Sequence, residues 1–318
     1  MDIDAVITWV DGDDPLHAEK RAFYSGESNH PVSTSATRFA SRGELKYSVL
    51  SILRFCPFVR KIHIVTDGQD PGFLWQVLAP SPEWHAKVEV VDHSAIYGEH
   101  SDLLPVFSSR SIETMLHRIP GLSEHFIYFN DDMFIGRPLE ADFFFRSGKP
   151  VLRGEFRRSG GRLTWLKQYL RRGVKRPSFK EAQREAAGVV GFTGKYFLAE
   201  HLPYPMRCST LHNYYAMRAD ELRQQAGHRF RSADQLSPIG LANHLELLEG
   251  APFEPSTRGG YIKPPKNDYG WKKVARTLAD LKNGELAALC VQSLDQFADH
   301  HRRAVLFELD ERYVRDYS

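Results

Sequence analysis

Over the first half of the chain, apolar residues arrive in short β-branched runs, each closed by a polar turn. Ile3 to Val10 reads as a strand running into the turn Asp11-Gly12-Asp13-Asp14-Pro15, and Lys61–Thr66 as a second strand ending at Asp67-Gly68. Val88–Val91 gives a third, closed by Asp92-His93-Ser94, and Phe126–Phe129 a fourth, closed by Asn130-Asp131-Asp132. Between these runs the spacing becomes helical. Leu45, Val49, Ile52 and Leu53 put a buried stripe on a helix over residues 43–56, and Arg110 to His117 reads as another. Ser, Thr, Asn and Gly dominate residues 24–42, which predicts a mobile loop. Residues 237–318 read as mainly helical towards their end, with Leu286, Leu289 and Leu294 to Phe297 available for packing.

Strands alternating with helices predict an α/β fold, Rossmann-like, with a mostly parallel sheet flanked by helices. All four strand ends carry acidic or polar groups at the carboxyl edge, where ligands of open α/β sheets bind. A chain of 318 residues has room for such a domain and a sizeable core. The expected division is an α/β core over residues 1–150, a basic insertion over 151–190, and a mainly helical remainder over 191–318 that completes the site.

Charge changes the picture in one place. Residues 153–184 hold eleven Lys/Arg against Glu155 and Glu181, a net +9, so the rest of the chain nets about −7 for an overall +2. That stretch is either a solvated face or an arm for an anionic acceptor or lipid headgroup. The small overall charge gives no reason to expect nucleic-acid binding. Cys56, Cys208 and Cys290 are scattered and odd in number, which argues against a disulfide framework and for a reducing compartment. With no basic leader and no run of about 20 apolar residues, the chain reads as soluble and cytoplasmic, with peripheral contact at the inner face of the membrane left open.

Three groups of residues suggest chemistry. Asn130-Asp131-Asp132 directly follows an apolar strand, and hard divalent cations are held by carboxylates together with substrate phosphate oxygens. Taken alone, the triplet reads better as a turn or helix cap. Asn267-Asp268 offers a second acidic turn if the chain folds back. Between them lie His201-Leu202-Pro203 and His228-Arg229-Phe230-Arg231-Ser232-Ala233-Asp234. An arginine fork suits phosphate, and a histidine suits proton removal from an attacking hydroxyl.

These segments fall in order within a larger pattern. It begins with Ile3-Asp4-Ala5-Val6-Ile7-Thr8-Trp9-Val10-Asp11-Gly12-Asp13-Asp14-Pro15. It continues through Arg42-Gly43-Glu44-Leu45-Lys46-Tyr47-Ser48, Val59-Arg60-Lys61-Ile62-His63-Ile64-Val65-Thr66-Asp67-Gly68-Gln69 and Leu104-Pro105-Val106-Phe107-Ser108-Ser109-Arg110-Ser111-Ile112-Glu113 to Phe126-Ile127-Tyr128-Phe129-Asn130-Asp131-Asp132. His201-Leu202-Pro203 with Arg229-Phe230-Arg231, and then Asn267-Asp268, complete it. In these blocks the chain resembles the Stealth family, which includes bacterial capsular and exopolysaccharide phosphotransferases and the animal GlcNAc-1-phosphotransferase.

The resemblance implies a GT-A-like fold. It also implies transfer of hexose-1-phosphate or N-acetylhexosamine-1-phosphate from a nucleotide-sugar, most commonly UDP-GlcNAc, to a saccharide acceptor. Mg²⁺ or Mn²⁺ would be required, and nucleoside monophosphate released. Carried onto this sequence, Asp131, Asp132 and Asp268 are metal-site candidates, His201 the leading catalytic histidine and Arg231 the phosphate-binding arginine. Asp131 or Asp132 is the reserve candidate for the base. Trp9, Asp11, Gly12, Asp67, Arg110 and Asn130 are expected around the nucleotide-sugar. The alternative is a metal-dependent glycosyltransferase that releases nucleoside diphosphate.

Overall fold

In the computed structural model, the residues described are 1–28, 31–35, 37, 39–159, 178–255 and 259–315. The four expected strands are β1 (Ile3–Thr8), β2 (Val59–Thr66), β3 (Val88–Asp92) and β4 (His125–Asn130). They lie parallel in one sheet, in the order β4-β1-β2-β3. The central residues of β1, β2 and β4 are buried on both faces, as continuous β-branched and aromatic runs require, whereas the edge strand β3 exposes Val90. The helix Glu44–Phe55 packs against β2, and buries the stripe of Leu45, Val49 and Ile52. Because β4 returns to the far side of β1, the strand order reverses there. In open α/β sheets, such a reversal opens a crevice beyond the carboxyl ends of the strands.

The remaining strands were not expected. Immediately after the β4 turn, β5 (Met133–Ile135) leaves the main sheet and pairs antiparallel with β13 (Ala288–Val291), whose other neighbour is β12 (Gly259–Ile262). A strand β10 (Tyr204–Arg207) adds antiparallel to β4 at the edge of the main sheet. These strands hide in the sequence because they are four residues or fewer, and β12 opens on two glycines. A Cβ on Gly259 would sit 2.6 Å from Leu202 Cδ1, so β12 packs closely against the segment that carries His201, and a side chain there would displace Leu202. The two-residue strands β6 (Phe145–Arg146) and β7 (Lys149–Pro150) form a small hairpin.

The flanks of the expected basic insertion belong to the fold. Strand β8 (Leu152–Arg158) pairs with β9 (Lys195–Ala199) and with β11 (Phe253–Glu254). The helix Phe179–Val189, capped by Ser178, buries Ala182, Gln183, Ala186 and Ala187. The basic residues Arg162 to Arg176 lie outside the described residues. The expected mobile loop at 24–42 is instead anchored at three of its described residues. Ser33 Oγ donates to the Arg231 carbonyl (2.6 Å), Thr37 Oγ1 to Asp295 (2.9 Å), and the Phe39 carbonyl accepts from Gly12 N (2.8 Å). Among the described residues, no helix is long and apolar enough to cross a membrane.

Asp4 ties the amino end of β1 to its neighbours. Its side chain is fully buried and accepts from Arg60 Nε (2.9 Å) and Nη2 (2.6 Å), Lys61 N (3.2 Å) and Ser123 N (2.8 Å). Burial opposes ionisation, but hydrogen bonds from His63, Arg60 and Ser123 outweigh it and hold the carboxyl well below its ordinary value of 3.8. Its contribution to stability is therefore present above pH of about 4 and is lost as the pH falls below it. Arg60 is 41% exposed, so much of its charge interaction is screened, and the stranded backbone donors dominate the cost of removing the carboxylate. Asp4→Ala should cost about 3 kcal/mol in chemical denaturation at pH 7. It should also lack this part of the acid dependence; a loss under about 0.5 kcal/mol would contradict the assignment.

Candidate active site

A cleft of about 310 Å³ opens at the carboxyl ends of β1 and β4, where the strand order reverses. Thr8, Trp9, Asn130, Asp131 and Asp132 line it from these strands; His201, Tyr204 and Arg231 reach it from the second half of the chain. Each acid is placed by backbone pairing. Asp131 and Asp132 form the turn from β4 into β5. The Asp132 carbonyl accepts from Val291 N (2.9 Å), and Met133 pairs with Cys290 across the ladder. The turn is thereby clamped against β13, and the Cys290 thiol hydrogen-bonds the Asp132 carboxylate. Glu44, at the start of its helix after the left-handed Gly43 (φ 86°), adds a third carboxylate.

These acids hold one another's protons. Burial, then Asp132 and Glu44, raises the Asp131 carboxyl well above the ordinary range. Asp132 is pushed up to about 7 by burial and Glu44, partly offset by the Cys290 hydrogen bond. Burial likewise raises Glu44, with a further contribution from Asp295. Buried carboxylates gathered without a cation are costly, and Asp132 Oδ1 is buried with no hydrogen-bond partner. Oxygen donors so placed fit a hard divalent cation that takes its remaining ligands from phosphate.

The cationic side of the cleft is Arg231. Along Arg229-Phe230-Arg231 the side chains alternate. Phe230 stacks on Phe107 (centroids 5.1 Å apart), and Arg229 turns outward to Glu27 and to the Pro105 carbonyl. Arg231 turns inward, donating from Nη2 to Ser109 Oγ (2.5 Å) while its Nε has no partner. Burial lowers its pKa, against the opposing pull of Glu113 and Tyr128. Glu113 is itself raised by burial despite Arg231 and Arg110. On the cleft floor, the Tyr128 hydroxyl lies 2.9 Å from both Thr8 Oγ1 and Asn130 Oδ1 and 3.3 Å from Glu113 Oε1.

His201 sits in the turn between β9 and β10. Its Nδ1 is 3.1 Å from the Tyr204 hydroxyl, and its ring meets Phe179 and Tyr261 edge-on at 5.6 and 6.0 Å. Burial, then Arg231, pushes its pKa down to about 4, so the imidazole is neutral near pH 7. The ligand atoms of His201, Asp132 and Cys290 all lie within 4.8 Å of one another.

The structure thus brings Trp9, Arg110, Asn130, Asp131, Asp132, His201 and Arg231 to one cleft. It does not bring Asp268, Asp67, Asp11 or Gly12 to its lining. Asp268 is exposed in the first turn of the helix Asp268–Lys282, capped by Asn267, so the turn that suggested a metal ligand is a helix cap. Asp67 pairs with Lys20 (3.2 Å). Gln69 clamps Asp11 through its backbone N and O, each at 2.9 Å. Gly12 is needed for close approach to Phe39, since a Cβ there would lie 2.2 Å from the Phe39 carbonyl oxygen. Arg110 lines the cleft but spends its guanidinium on the carbonyls of Ser178, Ser232 and Gln235, which makes it a positioning residue for the Arg231 segment. Burial, then Arg231, pushes its pKa down to about 10.

Sequence reading missed Glu44, Glu113, Tyr128, Tyr204 and Cys290. It also missed His17 and His93, which line the cleft beyond β2 and β3. Burial pushes both of these imidazoles down to about 4. Both lie beside turns the strand ends had marked as polar, which was the only signal available.

The chain has relatives among known proteins. Residues 1–29 match Stealth protein CR1, conserved region 1, and residues 38–151 match Stealth protein CR2, conserved region 2. An exopolysaccharide phosphotransferase of Streptomyces coelicolor is 34% identical over 313 residues, covering 94% of this chain and 48% of that protein. Receptor polysaccharide phosphotransferase WefC of Streptococcus oralis is 32% identical over 273 residues, covering 78% of this chain and 79% of its own length. The chain spans about half the length of the first of these relatives, or less for others from the same organism. Among solved structures, the bifunctional glycosyltransferase WbbM superposes with a TM-score of 0.50 at 9% identity, over 99% of this chain and 50% of that one, which places the fold among glycosyltransferase-like α/β proteins. With two conserved regions matched and relatives aligned over most of its length, the chain belongs to the Stealth family.

Proposed function

We propose that the protein transfers an N-acetylhexosamine-1-phosphate or hexose-1-phosphate group from a nucleotide-sugar, such as UDP-GlcNAc, to a saccharide hydroxyl. The products are a phosphodiester and a nucleoside monophosphate. The observation that carries this reading is the meeting of Asp132, His201 and Arg231, far apart in sequence, in one cleft at the carboxyl edge of the sheet. The polysaccharide phosphotransferase names of the relatives support the same class of acceptor.

In this reading the acceptor oxygen attacks the β-phosphorus. The bond from that phosphorus to the α–β bridging oxygen breaks, and the bridge leaves with the nucleoside monophosphate. Phosphoryl transfer depends on positioning and on charge placed around the phosphate oxygens. Arg231, with a free Nε and a fork steadied by Ser109, is aimed for that task. Asp131 and Asp132 would hold Mg²⁺ or Mn²⁺, which supplies further charge neutralisation when bound. His201 takes the acceptor proton on the ring nitrogen that Tyr204 leaves free. Burial and Arg231 lower its basicity, and a diphosphate beside the ring would raise it by adding negative charge. Glu113 and Tyr128 brace Arg231 from below.

A panel of nucleotide-sugars with Mg²⁺ and Mn²⁺ and short glycan acceptors tests the proposal, with nucleoside monophosphate as the expected released nucleotide. Release of diphosphate would make the protein a glycosyltransferase instead. Because the sugar C1–O bond is never cleaved, the phosphodiester should keep the anomeric configuration of the donor, read by NMR of the product; inversion would exclude attack at phosphorus. His201→Ala should lower kcat by about 10²-fold or more with donor affinity within a few-fold of wild type. Equal loss in both would remove His201 from the base role. Arg231→Lys keeps the charge but loses the fork, and should lower kcat/KM by about 10²-fold. Activity within threefold of wild type would rule out a phosphate-binding arginine there.

A further inference from the structure

One cluster, two of whose members line the cleft while the third, Cys290, is fully buried behind its wall, does not suit a hard cation. Mg²⁺ takes oxygen ligands, whereas Asp132, His201 and Cys290 offer one oxygen, one nitrogen and one sulfur within 4.8 Å of one another. A tetrahedral zinc ion, with bonds of about 2.0–2.3 Å, needs its ligand atoms roughly 3.5 Å apart, so side-chain adjustments of about 1 Å close the set. Each donor is already prepared. Asp132 Oδ1 is buried without a partner. The Tyr204 hydroxyl lies on Nδ1 of His201 at 3.1 Å, the outer-shell contact that fixes a metal-bound imidazole and leaves Nε2 to ligate. Cys290 is held by the pairing of β13 with β5 directly opposite Met133, the residue after Asp132.

We propose that Asp132, His201 and Cys290 form a binding site for a borderline-soft divalent cation of the zinc class, which shares Asp132 with the carboxylate site for Mg²⁺ or Mn²⁺ but adds nitrogen and sulfur ligands. Binding expels the thiol proton to solvent and leaves the fourth tetrahedral position open. An imidazole nitrogen bonded to a metal cannot also accept a proton. Zinc held here therefore blocks His201 and takes Asp132 away from the other cation, acting as a stoichiometric brake on transfer. That consequence rests on the reading of His201 as the base; the site itself does not.

Cobalt(II) titration of the metal-free 318-residue chain tests the site without any turnover. One equivalent should produce a thiolate-to-cobalt charge-transfer band with intense visible bands of tetrahedral cobalt, and Zn²⁺ should abolish them where excess Mg²⁺ does not. Cys290→Ser should remove the charge-transfer band. A Cys56→Ser, Cys208→Ser double variant should keep it, since neither of those thiols belongs to the cluster. Tyr204→Phe should weaken cobalt binding about tenfold or more through the lost outer-shell contact. Absence of the band in the wild type, or its persistence in Cys290→Ser, overturns the site. If the spectra are as expected but one equivalent of Zn²⁺ leaves transfer untouched, the site stands and His201 is not the base.

Discussion

Most of the site hangs on one backbone contact, the antiparallel pairing of β5 with β13. Strand β4 delivers Asp131 and Asp132 to the carboxyl edge of the sheet, but a turn of two aspartates beside a buried glutamate would splay apart under its own charge. The Val291 N–H on the Asp132 carbonyl, and the Met133–Cys290 pair that follows, close the turn from the other side. They also bring the loop after β13 over the cleft, where Gln292, Ser293 and Leu294 form part of its wall. Through Asp295 the same loop holds Thr37, and nearby Ser33 holds the Arg231 backbone. Acid turn, phosphate-facing arginine and cover thus share one set of supports.

Within that frame the charges are arranged for a ligand rather than for stability. Glu44, Asp131 and Asp132 gather on one side and Arg110 and Arg231 on the other, all largely withdrawn from water. Each like-charged group is expensive beside its neighbours. Arg231 retains an unpartnered Nε, and Asp132 an unpartnered Oδ1. A bound diphosphate with its cation offsets both imbalances at once. Polar groups fixed before the reaction need little reorganisation during it, which is how such sites lower barriers.

The parts of this arrangement written in local sequence were readable. Phe126–Phe129 followed by Asn130-Asp131-Asp132 announces a buried strand with an acidic end, and the spacing of Leu45, Val49 and Ile52 announces the helix that packs beneath the sheet. The parts set by long-range register were not. Nothing around Cys290 marks it, because its role comes from facing Met133 across a ladder 157 residues away. Glu44 looks like an ordinary first-turn glutamate until the left-handed Gly43 sets the helix start beside the acid turn. Asp268 misled for the converse reason: Asn-Asp before Tyr-Gly is helix-cap chemistry, and a cap carries no information about distance from β4. His201 and Arg231 stood out through the family pattern rather than through any property of their own segments.

Convergence of distant side chains on one reacting phosphate is what the account stands on, and a double-mutant cycle on turnover measures it directly. His201→Ala and Arg231→Ala, singly and together, should be strongly non-additive, with the double variant losing little more than the worse single one, because groups that act as a unit fail as a unit. Rate losses that simply multiply would mean that the two side chains act independently, and would contradict a shared site.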